Sequence, residues 1–249
     1  MGQGDRSVIA AIPARWGSTR FPGKPLALLA GEPMIVHVVR RASEARTVDA
    51  VLVATDDERV AEVARGAGAE VVMTGECASG TDRVAEAVLA RAGWEIVINL
   101  QGDEPRIAAE NIDTLVAGMR ATPEVGIATL CRPLDPVRVA DANVVKVVRS
   151  ASGRALYFSR SPLPFPRNLA VAQEMWRVHL GIYGFRRAAL AAFVALPPSR
   201  LEQAEALEQL RALENGIEIL VLEAPKPAFG VDTPEDLAEL ERMLGRSER

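Results

Sequence analysis

Short apolar runs alternate with stretches of helical period through the first hundred residues, and a chain written this way has few folds open to it. Residues 8–13, 50–54, 70–73 and 95–100 predict four strands. Between the first two, apolar residues at 34, 35, 38, 39, 42 and 45 mark one face of a helix over 34–45, with Pro33 at its first turn. Residues 57–67 and 81–92 repeat the pattern, and Ser79 is a candidate cap for the second. This alternation implies an α/β fold, with a mostly parallel central sheet and helices on both faces.

The middle of the chain reads differently. Strands are expected over 125–130, 144–148, 155–159 and 178–185, with few helices between them, which suggests a small antiparallel or mixed extension. The proline-rich run 161–167 (SPLPFPR) is expected to be a loop, because proline cannot donate to a ladder. Helices follow over 187–196 and 201–213, the latter stopping at Asn215-Gly216. A last strand over 217–222 leads to a helix opened by Thr233, with Pro234 at its first position and Asp236 three residues beyond the cap.

A chain of 249 residues can form one large α/β domain or two small ones. Its 29 basic and 33 acidic residues give a net charge of −4, which argues against bulk nucleic-acid binding but leaves room for a small anionic substrate held by local cations. Cys77 and Cys131 are far apart and suit two idle thiols better than a disulfide or a zinc site. The N-terminal residues lack the apolar core of a signal peptide, and no run approaches the ~20 residues of a membrane span, so a cytoplasmic protein is expected.

In open α/β sheets ligands bind beyond the carboxyl ends of strands. After the first expected strand, IPARWGSTRFPGKP (12–25) sets Arg15, Arg20 and Lys24 among Gly17, Ser18, Thr19 and Gly23. Small residues there let backbone N–H groups approach a polyphosphate, and the cations neutralise it. Five residues separate Gly17 from Gly23-Lys24, and Pro25 stands where a Walker loop has Ser or Thr, so this is a different phosphate loop or a basic surface loop. No GxGxxG occurs, which disfavours a dehydrogenase. NLQGDEP (99–105) presents Gln101, Asp103 and Glu104 straight after an apolar strand, and GVDTPED (230–236) presents Asp232 before a helix. Such carboxylates either hold Mg²⁺, a hard cation, or simply cap turns and helices. Arg160, His179, Tyr183, Glu208 and Gln209 could orient a polyhydroxylated acid, although each has a plain structural alternative. His37, on an apolar helix, reads as structural.

Together, IPARWGSTRFPGKPL, SGTDR (79–83), NLQGDEP, VKVV (145–148), ALYFSR (155–160), HLGIYGF (179–185), LEQLR (207–211) and GVDTPEDL closely resemble the Kdo (3-deoxy-manno-octulosonate) cytidylyltransferases, in family order and across nearly the whole chain. The resemblance implies a single domain over 1–249 with a Rossmann-like nucleotidyltransferase fold. It also implies a homodimer, to which a mixed-sheet extension near 125–200 contributes. The implied substrates are CTP and Kdo, joined as CMP-Kdo with loss of pyrophosphate, and the implied cofactor is Mg²⁺. By the same resemblance Arg15 and Lys24 serve the CTP phosphates, with the CTP-binding Ser18 in the same loop, Ser79, Gly80 and Thr81 read cytosine with Gln101 nearby, and Asp103 and Asp232 bind the metal. Lys24, Arg15 and Asp103 carry catalysis, while Arg160, His179, Tyr183, Glu208 and Gln209 line the sugar pocket. Trp16, Phe21 and the spelling of SPLPFPR depart from the pattern, so an 8-amino-Kdo or another acid sugar is the nearest alternative substrate. A catalytically silent nucleotide-binding protein is an alternative of another class.

Overall fold

A computed structural model of the chain describes residues 7–17 and 21–247. It divides into two compact units, Met1–Asp113 with Lys226–Arg249, and Thr114–Pro225.

The first unit opens with β1 (Val8–Ala14), buried along nearly its whole length. A short hairpin, β2 (Leu28–Leu29) and β3 (Glu32–Pro33), precedes α1 (Met34–Ser43). Then come β4 (Ala50–Thr55), α2 (Glu58–Gly66), β5 (Glu70–Met73), α3 (Gly80–Leu89), β6 (Ile96–Asn99) and the start of α4 (Ala109–Ala121). The strands form a parallel sheet in the order β6-β1-β4-β5, with Ile9 opposite Ala50 and Val8 opposite Ile96. Strands covered on both sides need continuous apolar runs, which is why β1, β4 and β6 carry almost no polar residue. In α1 the buried residues are Met34, Ile35, Val38, Val39 and Ala42, the face expected from the period, and Pro33 is the residue just before the helix. Asp57 caps α2 and Ser79 caps α3.

The second unit holds β7 (Ile127–Pro133), β8 (Lys146–Arg149), β9 (Ala155–Ser159), α5 (Leu169–Met175), β10 (Arg177–Arg186), α6 (Arg187–Val194), α7 (Arg200–Glu205), α8 (Leu210–Glu214) and β11 (Ile219–Glu223). Its sheet is mixed: β7 is parallel to β11 and antiparallel to β10, while β10, β8 and β9 are antiparallel in turn. The register of β10 slips between Leu180 and Tyr183, leaving Gly181 and Ile182 outside the ladder. The last helix, α9 (Pro234–Ser247), belongs to the first unit, where Leu240 joins Leu29, Met34 and Val231 in a buried cluster.

The helices differ from expectation at three places, and the hairpin of β2 and β3 was not anticipated. The helix anticipated over 201–213 is two short helices, α7 and α8, broken where Ala206 turns left-handed at φ 51°. Local propensity favours one helix, but tertiary contacts override it. The Arg160 guanidinium takes the carbonyls of Glu205 and Ala206 at the break, and Glu202 pairs with Arg211 across it through bonds of 2.8 and 2.6 Å. Helix α4 was not anticipated, although Ile112, Leu115, Val116 and Met119 are fully buried at helical spacing. Helix α5 was not anticipated either; it follows the proline-rich loop directly, capped by Asn168.

Candidate functional site

Strands β1 and β6 run side by side and parallel, so both deliver their following residues to one edge of the first unit's sheet. Gly102 permits this, because a Cβ there would lie 2.9 Å from the Pro13 carbonyl oxygen. Gly80, at the start of α3, is less tightly placed: its Cβ would lie 3.3 Å from the Pro13 ring. The segments after β1 and β6, the start of α3 and the residues before α9 line a cavity of about 320 Å³.

Lys24 stands among its acids. Its Nζ lies 2.6 Å from Asp103 Oδ2 and 3.6 Å from Asp232 Oδ1, and it donates to the Val231 carbonyl at 3.1 Å. Asp103 is tied to the same corner, since its carbonyl accepts from Val231 N–H at 2.8 Å. Beside them the Glu104 Oε2 is buried without a partner. Burial first, then the charges of Asp103 and Asp232, push the Glu104 carboxyl up to about 8, against the opposing pull of Lys24. Asp232 is oriented by the turn that follows: Asp236 Oδ2 accepts from the N–H groups of Asp232 and Thr233, and Thr233 Oγ1 accepts from Asp236 N–H.

Arg15 lines the cavity, is exposed, and has no hydrogen-bond or ion-pair partner among the described residues. Ser18, expected in the same loop, lies outside the described residues, as do Thr19 and Arg20. Ser79, Gly80 and Gln101 line the cavity, whereas Thr81 is buried and does not. The Thr81 hydroxyl accepts from Asn99 Nδ2 at 3.0 Å, and Asn99 Oδ1 accepts from Gln101 Nε2 at 3.2 Å, so a buried ladder steadies Gln101.

Arg83 was missed by sequence reasoning. It is 4% exposed, lines the cavity, and is held by Asp56 at 2.8 Å and by the Thr74 hydroxyl. A basic residue in the first turn of a helix opposes the helix dipole and needs a partner, which is the signal that could have found it.

The second set lies in the second unit. His179 and Tyr183 flank the irregularity of β10, their ring centroids 5.3 Å apart, with Phe158 edge-on to His179 at 5.1 Å. Thr129 Oγ1 lies 2.7 Å from the Ile182 carbonyl, to which it donates, and 3.0 Å from His179 Nε2. One hydroxyl proton cannot serve both, so the ring carries its proton on Nε2 and donates. The Tyr183 hydroxyl and the Gln209 Nε2 are buried without a partner, and Gln209 directly follows Glu208 in the sequence. Burial, then Glu208, raises the Tyr183 hydroxyl well above its ordinary value. Arg160 is anchored on main-chain carbonyls: its guanidinium donates to those of Glu205, Ala142 and Ala206. His37 hydrogen-bonds the Leu29 carbonyl at 2.9 Å, a structural contact, and both cysteines are free thiols.

Burial lowers His179 from its ordinary 6.5 to about 3. Between those values the unfolded chain binds a proton that the folded chain does not, so stability falls as pH falls. The imidazole is expected to remove about 1–2 kcal/mol between pH 7 and 5, allowing for its partial exposure to solvent. Urea unfolding of wild type and His179→Gln at both pH values checks this. Glu104 and the other acids act equally in both proteins, so the variant should lose less stability on acidification. An equal loss would contradict a neutral, buried ring.

Residues 9–219 match the protein family described as cytidylyltransferase. The chain is 53% identical over 240 residues to a 3-deoxy-manno-octulosonate cytidylyltransferase of Anaeromyxobacter dehalogenans (strain 2CP-1 / ATCC BAA-258), covering 96% of this chain and 98% of that protein. It is 46% identical over 237 residues to a protein of the same name from Myxococcus xanthus (strain DK1622), covering 95% and 96%. Among solved structures, a CMP:2-keto-3-deoxy-manno-octonic acid synthetase complexed with CTP superposes with a TM-score of 0.92 at 43% identity, over 97% of this chain and all of that one. A cytidylyltransferase from Leptospira borgpetersenii serovar Hardjo-bovis (strain JB197) shares the fold, with a TM-score of 0.62 at 17% identity over 97% and 94% of the two chains.

Proposed function

The chain belongs to the 3-deoxy-manno-octulosonate (Kdo) cytidylyltransferase family, and from that premise we propose that it transfers CMP from CTP to the anomeric hydroxyl of Kdo. The observation that carries the reading is the cavity in which Lys24 lies between Asp103 and Asp232, with the uncommitted Arg15 at the same opening. Cations for a triphosphate and carboxylates for its metal are thereby gathered in one place.

In the proposed reaction the anomeric oxygen forms a bond to the α-phosphorus of CTP. The bond from that phosphorus to the bridging oxygen breaks, pyrophosphate leaves, and the hydroxyl proton passes to solvent. Arg15 and Lys24 offset charge on the phosphates as it shifts toward the leaving group. The segment Ser79–Gly80 and Gln101 receive the base, with Thr81 and Asn99 holding Gln101 in place. His179, Tyr183, Glu208 and Gln209 are assigned to the sugar acid, whose hydroxyls and carboxylate would satisfy the unpartnered donors of Tyr183 and Gln209. Arg160 is assigned there as well, through the N–H groups its three carbonyl bonds leave over.

The donor set fits magnesium: two aspartates supply hard oxygen, and Asp103 and Asp232 both reach one ammonium, so one small cation can meet both. Asp103 and Asp232 would hold Mg²⁺, which when bound supplies positive charge at the α-phosphate and the attacking oxygen.

A homodimer is proposed on the apolar side chains that the second unit exposes, among them Phe165 at 79%, Leu169 and Val171, inside the segment the resemblance assigns to that contact. Among the described residues no helix is long and apolar enough to cross a membrane, and cytoplasmic work on CTP for lipopolysaccharide assembly accords with that.

Phosphorus NMR tests the reaction directly: with Kdo, the three CTP resonances should give way to one phosphodiester and one pyrophosphate signal. Gln209→Ala, which deletes an unpartnered buried donor, is expected to raise the KM for Kdo about tenfold and to change the KM for CTP little. Equal effects on both substrates would move Gln209 out of the sugar pocket.

A further inference from the structure

Trp16, which the reaction above does not use, joins the phosphate loop to the start of α2. The far edge of its indole lies against Gly23, where a Cβ would fall 2.9 Å from Cη2, and Gly23 holds a left-handed φ of 71°. The Trp16 carbonyl accepts from Gly23 N–H at 3.1 Å, a second contact between these two residues. The indole face is covered by Arg59, whose Cζ is 3.5 Å from the ring centroid, a cation–π stack. Arg59 is in turn fixed by Asp57, which accepts from Nε at 3.0 Å and from Nη2 at 2.6 Å while also capping α2. A second tie runs from Trp16 N–H to Asp56 Oδ1 at 3.3 Å, and Asp56 holds the cavity residue Arg83.

We propose that Trp16 and Arg59 are positioning residues: their stack holds Trp16 against Gly23, so that Arg15, next to Trp16, and Lys24, next to Gly23, meet the nucleotide phosphates together. This rests on the assignment of the loop to CTP. Arg15 and Lys24 are adjacent to the two residues that this contact joins, Trp16 and Gly23, so loss of the contact lets the cations move apart. Lys24 has a second anchor in Asp103 and Val231, whereas Arg15 has none, so the loss falls chiefly on nucleotide binding.

The test uses the full chain labelled with 5-fluorotryptophan, which gives three fluorine resonances, for Trp16, Trp94 and Trp176. Trp16→Phe identifies the first by its disappearance. Without nucleotide, Arg59→Met should move the Trp16 resonance and leave the other two in place. With CTP, Arg59→Met and Trp16→Ala should each weaken binding and raise the KM for CTP about fivefold, out of proportion to any fall in kcat. Trp16→Phe, which keeps an aromatic face under Arg59, should restore most of the affinity. An unmoved Trp16 resonance in Arg59→Met, or CTP affinity equal to wild type in both variants, would overturn the proposal while leaving the function standing. A folded wild-type protein with no affinity for CTP would overturn the function, and the positioning role with it.

Discussion

Asp103→Asn is expected to lower kcat by about a thousandfold with the fold intact. The carboxylate does two things that an amide cannot. It faces the Lys24 ammonium at 2.6 Å, and it is one of the two acids proposed to hold magnesium. The substitution keeps the side chain's size and leaves the main-chain bond from Val231 to the Asp103 carbonyl in place, so the corner should survive. What is lost is charge. The amide neither balances Lys24 nor competes for a hard cation. Turnover at saturating CTP and Kdo, read beside a melting curve and a Mn²⁺ titration, separates these effects. Loss of turnover and of Mn²⁺ affinity at an unchanged melting temperature is the predicted result. Near-normal turnover would remove Asp103 from the metal site.

Lys146→Met should cost about 3–5 kcal/mol of stability, the largest structural effect expected of a single side chain here. Lys146 is wholly buried, and its Nζ donates to the carbonyls of Asp141 at 2.9 Å, Val144 at 2.6 Å and Arg160. Burial pulls its pKa below the usual lysine value, more than the nearby Asp141 and Glu205 restore it. Its three protons thus join the segment before β8 to the residue after β9. Methionine fills the space but takes the ammonium from the carbonyls of Val144 and Arg160, each loss costing on the order of 1–3 kcal/mol, while the Asp141 carbonyl keeps the Val144 N–H at 3.2 Å. Urea unfolding of the two proteins measures the difference. A loss under about 1 kcal/mol would mean that those carbonyls reach water when the ammonium is gone.

Much of the first unit could be read from the chain alone, because buried parallel strands must be apolar throughout and their helices must repeat at 3.6 residues. Residues 70–73 emerge as a strand with the expected bounds, and Ser79 and the Thr233–Asp236 pair cap the helices anticipated for them. The positions beyond those strand ends, Arg15, Lys24, Gln101, Asp103 and Asp232, do line one cavity. Other features depend on contacts distant in sequence. The break at Ala206 runs against the helix propensity of its own segment and is held by Arg160, some 46 residues away. Arg83 owes its buried place to Asp56, 27 residues earlier on another strand's end. The sequence offers Glu104 only as a metal-ligand or turn-capping acid, and the packing shows a carboxyl buried beside two others.

Pyrophosphate release from CTP in the presence of Mg²⁺, compared for Kdo, its 8-amino analogue, a sialic acid and no sugar, tests the central claim most directly. The account predicts release with Kdo, abolished by a chelator and absent without sugar. No release with any of the sugars, from folded protein that still binds CTP, would contradict it.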